Sequence, residues 1–182
     1  MQDLITALDS LDYDVRQKAK RALLELDREI IVQPLIEAVY SNTQRMCWEA
    51  VSLLTQLREA KAIPAFGDAL RSKNPMLAQV AARSLVTFGT CSVPVLVEAL
   101  EGTANMTRVQ IVKALEEIGG HMAVPALLQL LESTDSSVVR YTTIDALSVL
   151  GDETIIPHIE RHADDADHHV RERVEMALRK MK

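Results

Sequence analysis

A pattern of apolar and small side chains recurs six times along this chain at nearly equal intervals. One position of the pattern is leucine in all six copies: Leu23, Leu54, Leu85, Leu115, Leu147 and Leu178. Four positions before each leucine stands a small or β-branched residue: Ala19, Ala50, Ala81, Ile111, Thr143 and Val174. Spacings of three, four and seven place side chains on one face of an α-helix. The pattern therefore predicts six amphipathic helices, which we call the B helices.

Prolines predict a second helix in each repeat. Five of the six prolines recur with the period of the leucines: Pro34, Pro64, Pro94, Pro125 and Pro157. Proline fits the first turn of a helix, where its missing N–H is not needed, so each is predicted to begin a helix, which we call an A helix. Gln2 lies in the same phase, one period before Pro34. The sixth proline, Pro75, follows Asn74 and is predicted to begin a B helix instead.

Alternating A and B helices predict an all-α protein, an α-solenoid (superhelix) of six antiparallel helix pairs, in which each repeat contacts only its neighbours. Aromatic residues make up only 3% of the chain against 48% hydrophobic residues, which agrees with thin layers of aliphatic side chains. We expect one array over residues 1–182, with repeats at approximately 1–32, 33–62, 63–92, 93–123, 124–155 and 156–182.

Short motifs in these repeats resemble the short class of HEAT-like repeats that occurs in phycobilisome lyases. The resemblance rests on the Val-Pro-x-Leu starts at 93–96 and 124–127 and on the Val-Arg pairs at 15–16, 139–140 and 170–171. Ala-Leu pairs near the ends of the B helices belong to it too. Cys47 and Ala78 depart from the pattern, because they replace the arginine that opens the other B helices.

Pairs of aspartate and arginine accompany these openings. Asp12 is expected to pair with Arg16, and Asp167 with Arg171, and Asp135 or Asp145 is a candidate partner of Arg140. In repeat proteins such pairs tie adjacent turns together, and at a surface each contributes roughly 0–1 kcal/mol. We therefore interpret them as structural rather than functional.

Composition excludes several classes of function. The net charge of −6 argues against a general binder of nucleic acid or anionic membrane, which needs a basic face. The chain lacks an apolar run long enough to predict a transmembrane helix. The two cysteines do not make a disulfide framework and are expected to be free thiols in a reducing cytoplasm. The sequence implies no cofactor. It favours a binding module over an enzyme.

In the HEAT family the B helices line the concave face, and the resemblance implies that a protein partner binds there. Side chains one, two and five positions after the arginine position are expected to face the partner. The predicted partner-binding residues are Trp48, Glu49, Ser52, Gln79, Arg83, Gln110, Lys113, Tyr141 and Asp145. Exposed tryptophan, tyrosine and arginine are the side chains that most often dominate binding energy. The competing interpretation is that Trp48 and Tyr141 only pack against neighbouring repeats.

Two other functions remain open. The resemblance also implies, as an alternative, a phycobilin lyase-type subunit or a chaperone that acts on phycobiliproteins with a second subunit. A third alternative is a small metal-binding protein, because His158 and His162 are four positions apart on the sixth A helix, next to several aspartates. The ordinary explanation of these histidines is a solvated, polar capping helix.

Overall fold

The computed structural model describes residues 1–181, and its regular secondary structure over that range consists of helices joined by turns. The A helices are α1 (Gln2–Ala7), α3 (Arg28–Val39), α5 (Ile63–Leu70), α7 (Val93–Ala99), α9 (Val124–Ser133) and α11 (Ile156–Glu160). The B helices are α2 (Tyr13–Leu24), α4 (Gln44–Gln56), α6 (Pro75–Val86), α8 (Asn105–Ile118), α10 (Ser137–Leu150) and α12 (His168–Met181). The expected all-α helical-repeat class is therefore confirmed. None of the described helices combines the length and the apolar character needed to cross a membrane.

The helices form two compact units, Met1–Phe88 (unit 1) and the residues from Gly89 onward (unit 2). In unit 1 each A helix packs on the B helix that follows it, and α4 also packs on α6. In unit 2 the same hairpins form, and α10 packs against both α8 and α12. Each unit therefore contains three hairpins, while a single array over both units stays a prediction.

The leucines of the predicted repeat position lie at the centre of each unit's core. Five of the six leucines have no exposed surface: Leu23, Leu54, Leu85, Leu115 and Leu147. Leu178, in the last hairpin, is half-buried. Phe66 adds an aromatic contact in unit 1, with its ring centroid 5.9 Å from that of Phe88. Burying one such leucine contributes about 2 kcal/mol through the hydrophobic effect, so the ladder is a main source of stability.

Helix starts follow local capping. Asp12 accepts a hydrogen bond from the N–H of Asp14 (2.8 Å), and Asn74 accepts one from that of Met76 (3.0 Å), so α2 and α6 begin beside these caps. Pro75 is the first residue of α6, as predicted. In α5, α7, α9 and α11 the repeated proline also lies in the first two positions.

Pro34 does not begin its helix, and that prediction was wrong. Helix α3 starts earlier, at Arg28, and Pro34 lies inside it. The cause is local: the Asp27 side chain accepts a hydrogen bond from the N–H of Glu29 at 3.1 Å, which starts the helix early. Helix α3 therefore begins earlier, relative to its proline, than the other A helices that carry one.

Candidate functional site

The predicted partner-binding residues of unit 1 lie on α4 and α6, and all remain accessible to solvent. Trp48 is 48% exposed, although an indole is usually buried when it has a packing partner. Arg83 is exposed, whereas Glu49, Ser52 and Gln79 are half-buried. The exposure of Trp48 argues against the interpretation that it only packs against neighbouring repeats.

An open groove of about 280 Å³ lies beside Trp48. Its walls come from α2, α4 and the start of α6: Arg16, Gln44, Arg45, Trp48, Glu49, Asn74, Met76 and Leu77. We call it the Trp48 groove. Pockets that enclose small molecules measure roughly 300–1,000 Å³, so this groove is small for such a ligand. Its size and openness suit a few side chains of a larger partner.

The carboxylate of Glu49 is held by two basic residues of the preceding B helix. The Lys20 Nζ lies 2.7 Å from Glu49 Oε2, and the Arg16 Nε lies 3.4 Å from Glu49 Oε1. The three side chains are 16–18% exposed. The Arg16 Nε makes no hydrogen bond, so its contact with Glu49 is an ion pair only. Two cations therefore face one anion, which leaves this part of the face positive.

Arginines at the starts of B helices bind the ends of the preceding A segments. The Nη1 of Arg16 donates to Ser10 O at 2.8 Å, and the Nη1 of Arg140 donates to Thr134 O at 3.3 Å. Arg171 donates to the O of Asp165 at 2.6 Å. In each case the acceptor lies six positions earlier, so these arginines satisfy carbonyl groups that the A segment leaves unpaired.

Cys47 takes over this function in the second repeat. Its Sγ lies 3.0 Å from Ser41 O, again six positions earlier, and the residue is buried. Burial raises the pKa of the Cys47 thiol, which keeps it protonated as a donor. The departure from the arginine pattern is therefore a substitution of one donor by a smaller one.

The acidic partners of these arginines differ from the expected ones. Asp12 accepts backbone N–H groups instead of pairing with Arg16, and Asp167 accepts the N–H of His169 at 2.9 Å. Arg16 contacts Glu49 of the next repeat. The pairs predicted for Asp12 and Asp167 were wrong because both aspartates are occupied as helix caps. The prediction of Asp135 or Asp145 for Arg140 was also wrong, because its partner is Asp165.

The strongest such contact joins two repeats of unit 2. Arg140 binds the Asp165 carboxylate with two hydrogen bonds, Nε to Oδ2 at 2.8 Å and Nη2 to Oδ1 at 3.0 Å. The side chains are 16% and 8% exposed. Burial raises the pKa of Asp165, but the hydrogen bonds from Arg140 and from the N–H of Asp167 outweigh burial and hold the pKa below its ordinary value.

The predicted partner-binding residues of unit 2 lie on α8 and α10. Lys113 is exposed, and Gln110, Tyr141 and Asp145 are half-buried. The ring of Tyr141 meets that of His169 edge-on at 6.3 Å, which supports packing for this side chain. Asp145 lies 3.6 Å from Arg173, and burial raises its pKa although Arg173 opposes the shift.

The two histidines proposed as metal ligands contact different carboxylates, and His162 lies beyond the end of α11. The Nδ1 of His158 lies 3.1 Å from Glu132 Oε1, whereas that of His162 lies 3.7 Å from Asp165 Oδ2. Within residues 1–181 no group of three or more histidine, cysteine, aspartate or glutamate side chains has the geometry to hold a metal ion. The metal-binding alternative therefore gains no support from this region.

Six groove residues were not among the predicted partner-binding residues: Arg16, Gln44, Arg45, Asn74, Met76 and Leu77. They precede the positions expected to face a partner, because the groove lies toward the starts of α4 and α6. Met76 carried a usable signal. It follows an Asn-Pro helix start at a position that the apolar pattern does not require, and it is 58% exposed.

Comparison with known proteins agrees with the fold. A model described as HEAT repeats matches residues 93–179. Phycocyanobilin lyase subunit beta from Pseudanabaena tenuis (strain PCC 7409) is 29% identical over 117 residues, which is 64% of this chain. The matched region is 42% of that subunit, so the chain spans about two fifths of its relative's length.

Solved structures show the same fold. The complex of CpcE and CpcF of phycocyanin lyase from Nostoc sp. PCC7120 gives a TM-score of 0.61 at 24% identity, covering 83% of this chain and 65% of that chain. A designed armadillo repeat protein in complex with the peptide (KR)4 gives 0.60 at 16% identity, covering 99% and 98%. The predicted resemblance agrees with these findings: residues 93–179 match HEAT repeats, and the chain has the helical-repeat fold of these solved structures.

Proposed function

We propose that this chain is a non-enzymatic module that binds a protein partner through the face of its B helices. The observation that carries the proposal is Trp48, which is the chain's only tryptophan and is half exposed beside an open groove. An exposed indole gains a large apolar contact when a partner covers it, and tryptophan is among the side chains that most often dominate binding energy.

In the proposal the remaining predicted residues supply charged and polar groups on the B helices of the unit to which each belongs. In the proposal Arg83 and Lys113 provide exposed cations, and no ion pair of theirs is seen among residues 1–181. On α4 and α6 of unit 1 the hydrogen-bonding groups are Glu49, Ser52 and Gln79, and on α8 and α10 of unit 2 they are Gln110, Tyr141 and Asp145. A polar rim around an apolar centre is the usual arrangement of a protein interface.

Affinity capture from native lysate tests the proposal. Wild type is compared with a Trp48→Ala/Arg83→Glu variant, and a Met122→Ala/Lys61→Glu variant is the matched control. Met122 is 66% exposed and Lys61 is also exposed, so the control removes an exposed apolar side chain and reverses one charge elsewhere. We expect one partner to be retained by wild type and by the control but lost by the first variant. Equal retention by all three would overturn the proposal.

A second candidate function is supported by the similarity to a phycocyanobilin lyase subunit and to the CpcE–CpcF complex. In this alternative the chain acts with a second subunit on a phycobiliprotein. Co-purification separates the two candidates, because a phycobiliprotein that carries its bilin is coloured. Capture of a phycobiliprotein, with transfer of bilin that requires this chain, would support the lyase-type function. Capture of an unrelated protein would leave only the first candidate function, the non-enzymatic binding module.

A further inference from the structure

The B helices of unit 1 carry an excess of positive charge. Helices α2, α4 and α6 contain six basic side chains and two acidic ones. One of the two acids, Glu49, is already held by Lys20 and Arg16. The other, Asp14, lies in the first turn of α2. Helix α6 contains no acidic residue. This face therefore presents a positive potential to an approaching partner.

Three of the basic side chains are exposed and available. Lys18 and Arg21 on α2 and Arg83 on α6 are exposed. Among residues 1–181, the side chains of these three residues take part in no ion pair of this chain. Their charges are free to meet charges of the opposite sign on a partner.

The same face carries two exposed apolar side chains beside the Trp48 groove. Trp48 is 48% exposed and Met76 is 58% exposed, and both line the groove. Exposed apolar side chains grouped around a concave surface mark a site where a partner's apolar group becomes buried. Methionine adapts its shape to different partners because it is unbranched and polarizable.

We propose that the Trp48 groove binds an acidic polypeptide segment, with an apolar side chain of the segment packed on Trp48 and Met76. This inference rests on the proposed function and names the chemistry of its partner. The segment's carboxylates meet Lys18, Arg21 and Arg83. Three separate exposed cations disfavour a nucleic acid, whose phosphates require a more continuous basic surface. A peptide with spaced carboxylates matches the three separate cations.

Trp48 reports the binding directly, because no other tryptophan contributes to the fluorescence of the chain. The full chain is titrated with a short tryptophan-free peptide in which glutamates flank a central Leu-Phe pair. Peptides with glutamine or lysine in place of every glutamate, and an oligothymidine of equal length, are the comparisons. We expect a saturable change in Trp48 emission with the acidic peptide, weaker at higher salt. The other probes should bind about tenfold more weakly or worse.

Variants then locate the charges. Arg21→Glu and Arg83→Glu should each weaken binding of the acidic peptide several-fold. Lys61→Glu should leave its binding unchanged, because Lys61 lies on the turn before α5. The inference is overturned if the lysine peptide or the oligothymidine binds as tightly as the acidic peptide. It is also overturned if the acidic peptide leaves Trp48 emission unchanged.

The two proposals fail separately. If a partner is captured through Trp48 but the acidic peptide does not bind, the groove is the site and only its predicted occupant is wrong. If the acidic peptide binds but no captured partner depends on Trp48, the groove has the proposed chemistry and the partner-binding function is wrong.

Discussion

The two units share one repeat but use it differently. In unit 2 every B helix keeps its opening arginine (Arg108, Arg140 and Arg171), and the match to HEAT repeats at residues 93–179 lies wholly within this unit. In unit 1 only Arg16 is kept, and Cys47 and Ala78 stand at the other two openings. Unit 2 is thus the more regular part of the chain.

Charge separates the units as well. Residues 1–88 contain eleven basic and eleven acidic side chains, whereas residues 89–182 contain nine basic and fifteen acidic ones. The net charge of −6 therefore belongs to unit 2. A whole-chain charge conceals the basic B helices of unit 1, on which the acidic-segment proposal depends.

The comparison teaches where to look for function in a repeat protein. Positions that maintain the repeat are fixed by packing and capping, so a departure from the pattern shows where the repeat is kept less strictly. The departures at Cys47 and Ala78 lie close in sequence to the exposed side chains Trp48 and Met76. Unit 1 therefore combines a less regular repeat with an exposed apolar surface, and the following changes test that contrast.

The largest expected effect on stability is at the buried leucines, which both units share. Leu54→Ala in unit 1 and Leu115→Ala in unit 2 should each lower the free energy of unfolding by about 3 kcal/mol, because both leucines are fully buried. Urea denaturation followed by Trp48 fluorescence reports unit 1, and hydrogen exchange of the α8 amides reports unit 2. A loss well below about 1 kcal/mol in either unit would show that its core is not built on the leucine ladder.

The next largest effect on the free energy of unfolding is expected at the opening arginine of a B helix in unit 2. Arg140→Ala should cost about 2 kcal/mol, because it removes two hydrogen bonds from a largely buried carboxylate. Cys47→Ala at the equivalent opening in unit 1 should cost about 1 kcal/mol, the contribution of one hydrogen bond. Hydrogen exchange of α10 and urea denaturation of unit 1 give the two values. Equal costs would remove this distinction between the units.

The Arg140–Asp165 contact should also make unit 2 sensitive to acid. The pKa of Asp165 is held below its ordinary value of 3.8, so its ionised form stabilises the fold above that pH. The stabilisation is lost as the pH falls through the lower pKa of the folded state. Wild type should exceed Asp165→Asn in stability by about 1 kcal/mol at pH 7, with the difference vanishing in acid. A constant difference from pH 7 to pH 2 would contradict the assignment.

The smallest stability effect is expected at the proposed binding surface. Trp48→Ala and Arg83→Glu should each change the free energy of unfolding by no more than about 0.5 kcal/mol, because both side chains are exposed. Thermal denaturation followed by circular dichroism measures this. A loss above about 2 kcal/mol for Trp48→Ala would identify Trp48 as a packing residue and support the interpretation that it has no partner.

The fold was predictable because its signals are local and periodic. The leucine spacing predicted the B helices, and four of the five spaced prolines lie at the starts of A helices. Pro34 was misplaced because the capping hydrogen bond of Asp27 starts α3 earlier than the repeat requires. A single cap can therefore override a repeat period locally.

The site was only partly predictable. The exposure of Trp48 and Arg83 agrees with their expected positions on the B helices. The partners of Arg16 and Arg140, however, are Glu49 and Asp165, each of which belongs to the next repeat. Nothing in the spacing of a single repeat selects these acids, because the choice depends on how two hairpins stack.

The most direct test is the affinity of the captured partner for wild type, Trp48→Ala and the control Met122→Ala. The proposal predicts that Trp48→Ala raises the Kd at least about tenfold and that Met122→Ala leaves it unchanged. An unchanged Kd for a folded Trp48→Ala variant would contradict the claim that the partner binds unit 1 through its B helices.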